Sequence, residues 1–179
     1  MKDQVRRADD IVSLIDGFET LYRREFAAVV ALAYVLSGSR TAAEDLAQDS
    51  FLAAHRRWDV ISGYEDPAGW VRRVCINRST SLVRRRMTEA KALARFSGRR
   101  VLPAELPPDA DALWHAVRRL PKRQAQVVAL YYLNDLAVTQ IATVLNCAEG
   151  TVKVHLHRAR QSLAADLGCA VRSAAEELQ

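Results

Sequence analysis

The stretch VTQIATVLNCAEGTVKVHLHRARQSL, residues 138–163, decides the fold of the second half of the chain. Its apolar spacing predicts two helices, 138–146 and 151–167, joined by a short connection at 147–149. On the second helix apolar residues recur at steps of four, three and four, at Val152, Leu156, Ala159 and Leu163, and predict a buried stripe. The pattern is typical of a helix-turn-helix, although a plain helical hairpin with solvated charges would show it too.

The opposite side of this second helix carries groups suited to DNA. Arginine and lysine can bond guanine edges or phosphates, and a helix N-terminus can receive a phosphate. The candidate DNA contacts are Thr151, Lys153, Val154, His157, Arg158 and Gln161. A metal site at His155 and His157 is not favoured, because residues two apart point to different helix faces.

The rest of the chain also has helical periodicity and no strand-like alternation. Helices are predicted at 42–58, 67–86, 111–120 and 121–133, after a first helix that ends near Ser37. Thr41, with Glu44 three residues later, predicts a capping box at the start of the second helix. The predicted fold class is therefore all-α, in two small helical domains.

Glycine and proline divide the chain into parts. Gly98, Pro103, Pro107 and Pro108 interrupt the helical pattern and predict a flexible linker, helical only at its start. The predicted parts are an N-terminal extension at 1–16, a first domain at 17–86, the linker at 87–108, a second domain at 109–167 and a tail at 168–179.

Composition excludes several classes of protein. The net charge of the 179 residues is only +5, and the longest apolar run, 26–36, is shorter than the ~20 residues that a membrane span needs. Cys75, Cys147 and Cys169 are odd in number and far apart, which indicates a reducing cytoplasm rather than a disulfide framework, and leaves a redox role open. No cluster of nucleophile, base or metal ligands indicates an enzyme, and no cofactor or metal is expected.

Charge is concentrated in one segment. Residues 69–86 contain six arginines and no acid, which predicts a positive helix for phosphates, although a solvated face would have the same composition. Tyr64 in the preceding loop is a candidate for stacking on an unpaired base. Trp70 could stack in the same way or pack in the core against Val74.

A second segment, AEDLAQDSF at 43–51, predicts an acidic and apolar patch. Asp45, Gln48 and Asp49 lie on adjacent helical turns beside apolar side chains. Such a patch suits docking to a basic protein surface. An ordinary exposed helix face is the alternative.

The order of these parts resembles the ECF group of the sigma-70 family of RNA polymerase sigma factors, with a looser resemblance to an actinobacterial subgroup. AEDLAQDSFLAAHRRW (43–58) is similar to family regions 2.1–2.2, and DPAGWVRRVCINRSTSLVRRR (66–86) to regions 2.3–2.4. The segment 120–163 is similar to region 4. A stand-alone helix-turn-helix regulator is the alternative, but it leaves the acidic patch and the arginine helix without a role.

The resemblance implies a transcription initiation factor that is not an enzyme, works in the cytoplasm and needs no cofactor. Its partners would be promoter DNA, core RNA polymerase through the β′ clamp coiled coil and the β flap, and an anti-sigma factor. The implied polymerase contacts are Asp45, Leu46, Gln48, Asp49, Phe51 and Leu52. The implied −10 contacts are Tyr64, Trp70, Arg72, Arg73, Asn77, Arg78, Arg84 and Arg85, and the helix at 151–161 would read the −35 element.

Overall fold

The computed structural model describes the backbone of residues 2–97 and 112–176, with the side chains of 17–90 and 113–166. Within those ranges the chain forms eight helices and no strand, which confirms the all-α class. They are α1 (Lys2–Ser37), α2 (Arg40–His55), α3 (Trp58–Ile61), α4 (Pro67–Ser97), α5 (Ala112–Arg119), α6 (Lys122–Tyr132), α7 (Val138–Leu145) and α8 (Glu149–Glu176). None of the described helices has both the length and the apolarity needed to cross a membrane.

The first group of helices, α1 to α4, is built on long α1, which packs against α2 and α4. Aromatic rings fill the space between α1 and α2. The Phe51 ring lies 5.0 Å from Tyr22 and 5.9 Å from Phe26, measured between ring centroids. On α4, Val71 and Cys75 are fully buried against the same core.

The second group, α5 to α8, encloses its own apolar centre. Val127 and Leu130 of α6 are fully buried with Ile141 of α7. The stripe predicted on α8 is confirmed, since Val152, Leu156, Ala159 and Leu163 are all buried in this centre.

The two groups are in contact. Leu32 and Val35 of α1 and Ile76 of α4 are buried in the apolar cluster formed mainly by the second group. Near the start of α4, a Cβ built on Gly69 would lie 3.3 Å from Cγ2 of Val144 on α7. The beginning of α4 therefore lies directly against α7.

The cap predicted for the second helix is wrong by two residues. Gly38, at φ +72°, ends α1 in the left-handed region, and Ser39 is the extended residue that follows. The Ser39 Oγ accepts a hydrogen bond from the Ala42 amide at 3.4 Å, so Ser39 caps the helix and Thr41 already lies inside it. The cap falls where the backbone leaves the glycine turn, and the sequence pattern of Thr41 and Glu44 did not locate that point.

The helix predicted to end near residue 86 continues to Ser97 as α4. Residues 87–97 contain alanine, leucine and lysine and no glycine or proline, so nothing in them stops the helix. The Arg85 Nε donates to Glu89 Oε1 at 2.7 Å across one helical turn. The remainder of the predicted linker, 98–108, lies outside the described residues, as do the side chains of 1–16 and 168–179, including Cys169.

Candidate nucleic-acid interface

The turn between α7 and α8 has the geometry of a helix-turn-helix. Asn146 adopts φ 51° and ψ 58°, the left-handed conformation that its short polar side chain tolerates. The Cys147 amide donates to the Ala142 carbonyl at 3.0 Å, which closes the end of α7. The Thr151 amide then donates to the Ala148 carbonyl at 2.9 Å in the first turn of α8.

This turn sets the outer face of α8 towards solvent. All six predicted DNA contacts on α8 are exposed, and Val154 is 46% accessible although it is apolar. The buried stripe on the opposite side fixes the rotation of the helix, so these side chains project away from the core. Their arrangement fits a helix that enters the major groove of DNA.

The helix that carries the arginines is positioned by its first turn. Pro67 occupies the first helical position, as predicted, and Asp66 is the cap, a residue that sequence reasoning missed. The Asp66 Oδ1 accepts from the Gly69 amide at 2.8 Å. Its signal was available, because aspartate before proline is a common helix start.

Two predicted −10 contacts are engaged inside the protein. Arg72 is only 6% exposed and forms an ion pair with Glu25 of α1. Its Nε also donates to Oδ1 of Asn134, between α6 and α7, at 3.2 Å. The prediction that Arg72 faces DNA is therefore corrected: it is a buried structural cation, because burial of Glu25 requires an opposite charge.

Arg73 is exposed, but its guanidinium is also in use. It donates to the Val144 carbonyl at 3.0 Å and to the Thr143 carbonyl, both at the end of α7. The last carbonyls of a helix have few partners of their own, here the Asn146 amide on Thr143 at 3.3 Å, and a cation there also meets the negative end of the helix dipole. Arg73 thus caps α7 from another helical group.

Other arginines of α4 form pairs at the surface. Arg78 Nη1 lies 2.9 Å from Asp49 Oδ2 on α2, and Arg85 pairs with Glu89. The pKa of Arg85 is raised by its hydrogen bond to Glu89 and by that carboxylate's charge. Although residues 69–86 contain no acid, several of their arginines have acidic partners, which lie on other helices or in the next turn of α4.

The two aromatic candidates differ in exposure. Tyr64 is 43% exposed in the loop before α4. Trp70 is half-buried and packs against the core of the first group, which is the alternative left open by the sequence. Asn77, Arg84 and Arg85 are exposed on α4.

The acidic patch of α2 separates into an outer and an inner set. Asp45, Gln48, Asp49 and Leu52 are exposed, and Leu52 is 46% accessible. Leu46 and Phe51 are buried, Phe51 at 2% exposure beneath the α1 rings. The prediction that these two side chains contact a partner directly is therefore corrected: they support the helix from inside.

An open groove runs beside this patch between α2 and α4, lined by Leu46, Asp49, Asn77 and Arg78 among others.

Besides Asp66, sequence reasoning missed Glu25 and Asn134. Glu25 had a detectable signal, because it follows Leu21 and precedes Val29 at helical spacing on the buried side of α1. Asn134 lies in a turn and had no such signal. Among the described side chains, no group of three or more histidine, cysteine or acidic residues could hold a metal ion.

Comparison with known proteins assigns the chain to a family. The model of sigma-70 region 2 matches residues 21–89, and that of sigma-70 region 4 matches residues 110–163. The ECF RNA polymerase sigma factor SigM of Mycobacterium tuberculosis is 31% identical over 157 residues, which cover 85% of this chain and 78% of that protein. SigW of Bacillus subtilis, another ECF sigma factor, is 26% identical over 150 residues, 75% of this chain and 80% of SigW.

A solved structure has the same fold. The sigma factor RpoE of Bartonella quintana, in complex with the anti-sigma factor NepR, aligns with a TM-score of 0.70 over 84% of this chain and 96% of that chain, at 23% identity. The chain belongs to the ECF group of sigma-70 RNA polymerase sigma factors. It is therefore a transcription initiation factor that recognises promoters with core RNA polymerase, and it is not an enzyme.

Proposed function

We propose that the outer face of α8 reads the −35 element and that the loop and exposed side of α4 hold the −10 element. The observation that carries this proposal is the exposed row on α8 opposite a fully buried stripe. Arg158 and Lys153 supply the donors that guanine edges and phosphates accept. Thr151, His157 and Gln161 flank them, and Val154 offers an apolar surface for a thymine methyl group.

The surface that we propose for the −10 element contains fewer residues than the sequence predicted. Tyr64 would stack on a base extruded from the duplex, a contact worth about 1–3 kcal/mol for each stacked base. Arg84, Arg85 and Asn77 lie exposed on α4 and would meet the backbone of the opened strands. Opening needs no covalent chemistry, because binding energy for unstacked bases offsets the cost of melting.

We propose that the outer set on α2, Asp45, Gln48, Asp49 and Leu52, contacts the β′ clamp coiled coil of core polymerase. Two carboxylates beside an exposed leucine suit a partner surface that is basic at its rim and apolar at its centre. The second group would contact the β flap. Since its polymerase and promoter partners are in the cytoplasm, the protein would act there.

An anti-sigma factor is a further proposed partner. RpoE is solved with the anti-sigma factor NepR, and CnrH, at a TM-score of 0.62 and 24% identity, with the cytosolic domain of CnrY. We place this partner on the groove between α2 and α4, where it would compete with polymerase. Competition between a purified anti-sigma candidate and core polymerase for labelled protein would test it, and simultaneous binding would contradict this placement.

The proposed function is tested by run-off transcription from a promoter library, with and without core polymerase. Transcripts should require both proteins, and their start sites should share a −35 and a −10 sequence. A protein that fails to bind core polymerase would refute the proposal.

Charge reversal tests the α2 surface. The double substitution Asp45→Lys and Asp49→Lys should weaken core binding at least tenfold, which corresponds to about 1.4 kcal/mol. The matched control is Glu19→Lys with Asp59→Lys, which changes the charge equally at exposed acids outside the patch. Equal affinity of the two variants, both folded by circular dichroism, would remove the patch from the interface.

A further inference from the structure

One exposed arginine of α8, Arg160, has neighbours unlike those of the α4 arginines. Its guanidinium carbon lies over two rings at the end of α6, 5.7 Å from the Tyr131 centroid and 5.9 Å from the Tyr132 centroid. Its Nε donates to the Tyr132 hydroxyl oxygen at 2.9 Å. The two rings are themselves in edge contact, with centroids 4.9 Å apart. Two rings and one hydrogen bond therefore fix the direction of this guanidinium.

The pair formed by Tyr132 and Arg160 has unused hydrogen-bond donors. Arg160 forms no ion pair with an acid among the described side chains, whereas Arg72, Arg78 and Arg85 each do. Within the same part of the chain only its Nε is bonded, so both terminal nitrogens keep their donors. The Tyr132 oxygen accepts from Arg160, which leaves its own O–H to donate. An ordered guanidinium fork beside a free hydroxyl is suited to a phosphate or a carboxylate.

The pair lies at the surface, where it contributes little to the core. Tyr132 is 53% exposed, and Arg160 is exposed as well. The packing of α6 on α8 does not depend on it, because Val127 and Leu130 are fully buried in the centre that also holds the α8 stripe. Exposed tyrosine and arginine are enriched at binding surfaces, and an arginine held in one orientation loses little entropy when it binds. The pair is therefore better explained by a ligand than by the fold.

The position of the pair on α8 indicates which ligand it binds. Lys153, His157 and Arg160 follow one another at steps of four and three, so they form an exposed row along one side of the helix. The row is about 10 Å long at about 1.5 Å per residue. Residues 150–165 contain no acid. A helix in the major groove has a sugar-phosphate backbone on either side, which presents a line of negative charge to such a row.

We propose that Tyr132 and Arg160 form a phosphate clamp, in which the guanidinium fork and the phenol hydroxyl bind one phosphate of the DNA backbone beside the groove that α8 enters. Tyr131 supports the guanidinium through its ring alone. A phosphate contact fixes the depth and register of a reading helix without reading a base. This inference rests on the proposed function, because it requires α8 in the major groove, and it adds the end of α6 to the DNA interface.

The salt dependence of DNA binding tests the charge of the clamp. The probe is a fluorescent duplex of about 40 base pairs and mixed sequence, titrated with the full chain between about 50 and 200 mM salt. Arg160→Gln should bind it about threefold to tenfold more weakly at the lowest salt and reduce the salt slope by about one, the effect of one lost phosphate contact. Arg23→Gln is the control, because it removes the same charge from an exposed arginine of α1 outside every proposed surface.

Two results of this titration would overturn the proposal. One is an Arg160→Gln chain with the affinity and the salt slope of the Arg23→Gln control. The other is an unmodified chain that shows no binding to the duplex at the lowest salt.

Conservative variants test the geometry of the clamp. Tyr132→Phe removes only a hydroxyl and should weaken binding about twofold to threefold at an unchanged salt slope, since the hydroxyl carries no charge. Tyr131→Phe is the matched control and should change neither quantity. Arg160→Lys keeps the charge but loses the fork, so it should keep the slope and recover only part of the affinity lost in Arg160→Gln. Equal affinities of the two phenylalanine variants would overturn the clamp.

Base preference separates the clamp from the base-reading face. On promoter duplexes with single base substitutions, Arg160→Gln should weaken binding to every sequence by the same factor. Arg158→Ala should instead relax the preference at one base pair. A loss that depends on the base in the Arg160→Gln chain would place this side chain among the base-reading residues and overturn the phosphate assignment.

Binding to core polymerase distinguishes a failure of the clamp from a failure of the proposed function. If Arg160→Gln weakens core binding and leaves DNA affinity unchanged, the pair faces an acidic protein surface and the clamp is overturned, while the proposed function stands. If the unmodified chain does not bind core polymerase, the proposed function is refuted. The duplex titration still decides the clamp in that case, because it contains no polymerase.

Discussion

The outer face of α8 and the arginine-rich part of α4 are both basic, but the two helices use their cations differently. On α8, Lys153 and Arg158 stand exposed over a buried stripe and face solvent. On α4, Arg72 is buried against Glu25, Arg73 caps α7 and Arg78 pairs with Asp49. The cations of α8 are exposed to solvent, whereas three of the α4 arginines bind groups on other helices.

The difference shows that a count of charges along a helix does not give the charge offered to a ligand. The partners of the α4 arginines come from α1, α2 and α7, which are distant in sequence. Each partner neutralises a cation or takes up its hydrogen-bond donors. The predictions below test this division, from the largest expected effect to the smallest.

Removal of the Arg72 side chain should produce the largest change. Arg72→Ala leaves the buried Glu25 carboxylate with the exposed Arg24 as its remaining cationic partner and removes a donor from Asn134, which should lower the free energy of unfolding by about 3 kcal/mol in urea denaturation. Arg84→Ala, at an exposed position of the same helix, is the control and should change it by less than about 0.5 kcal/mol. Equal stability of the two variants would mean that Arg72 behaves as a surface residue and not as a buried structural cation.

The buried side of α4 should also protect its thiol. With the pKa of Cys75 raised by burial from 9.0 to about 11, its thiolate fraction at pH 8 falls about 100-fold, so its alkylation should be about that much slower than in the unfolded chain, and slower than at half-exposed Cys147. Mass spectrometry of alkylated peptides measures both rates. The Cys75 thiol ionises at a lower pH in the unfolded chain than in the folded one. Burial of the neutral thiol therefore contributes fully to stability below pH 9, and this contribution is lost as the pH rises from 9 to 11. Similar rates at the two cysteines would contradict the burial of this face.

Truncation of a side chain on the outer face of α8 should weaken DNA binding and leave the stability of the fold unchanged. Arg158→Ala should weaken binding to promoter DNA by about 1–3 kcal/mol and relax the sequence preference at one base pair. Competition binding with base-substituted promoters measures both effects, and thermal unfolding should be unchanged. Loss of stability instead of affinity would mean that Arg158 is structural, as Arg72 is.

The surface pair on α4 should have the smallest effect on stability. Arg78→Ala removes a half-exposed ion pair with Asp49, which should lower the free energy of unfolding by about 0.2–1 kcal/mol. A double-mutant cycle with Asp49→Ala isolates the coupling between the two side chains. The coupling should fall further in high salt, and a salt-independent value above about 2 kcal/mol would place this pair with Arg72 and Glu25.

Much of the fold could be predicted because helical periodicity is a local property. The stripe on α8 and the short connection between α7 and α8 both follow from residues within one or two turns. Helix ends were less predictable. The cap at Ser39 depends on the conformation of Gly38, and α4 passes residue 86 because no breaker follows.

The residues of the candidate site also differ in how well the sequence predicted their exposure. The exposure of Arg158 could be predicted, because the buried stripe of its own helix fixes which side faces out. The burial of Arg72 could not be predicted from local charge or composition, because it depends on Glu25 of a partner helix. The Arg73 cap on α7 joins residues about 70 positions apart, and no local pattern identifies such a pair.

The sequence by itself determined the all-α class, the helix-turn-helix and the two phrases that resemble sigma regions 2 and 4. These follow from periodicity, turn residues and residue order, all of which act over short distances along the chain. Only the tertiary structure decided which arginines remain at the surface and that the two helical groups share an apolar contact. Those outcomes depend on Coulomb and packing interactions between distant segments, whose strength is set by burial and by the partner that folding brings within reach.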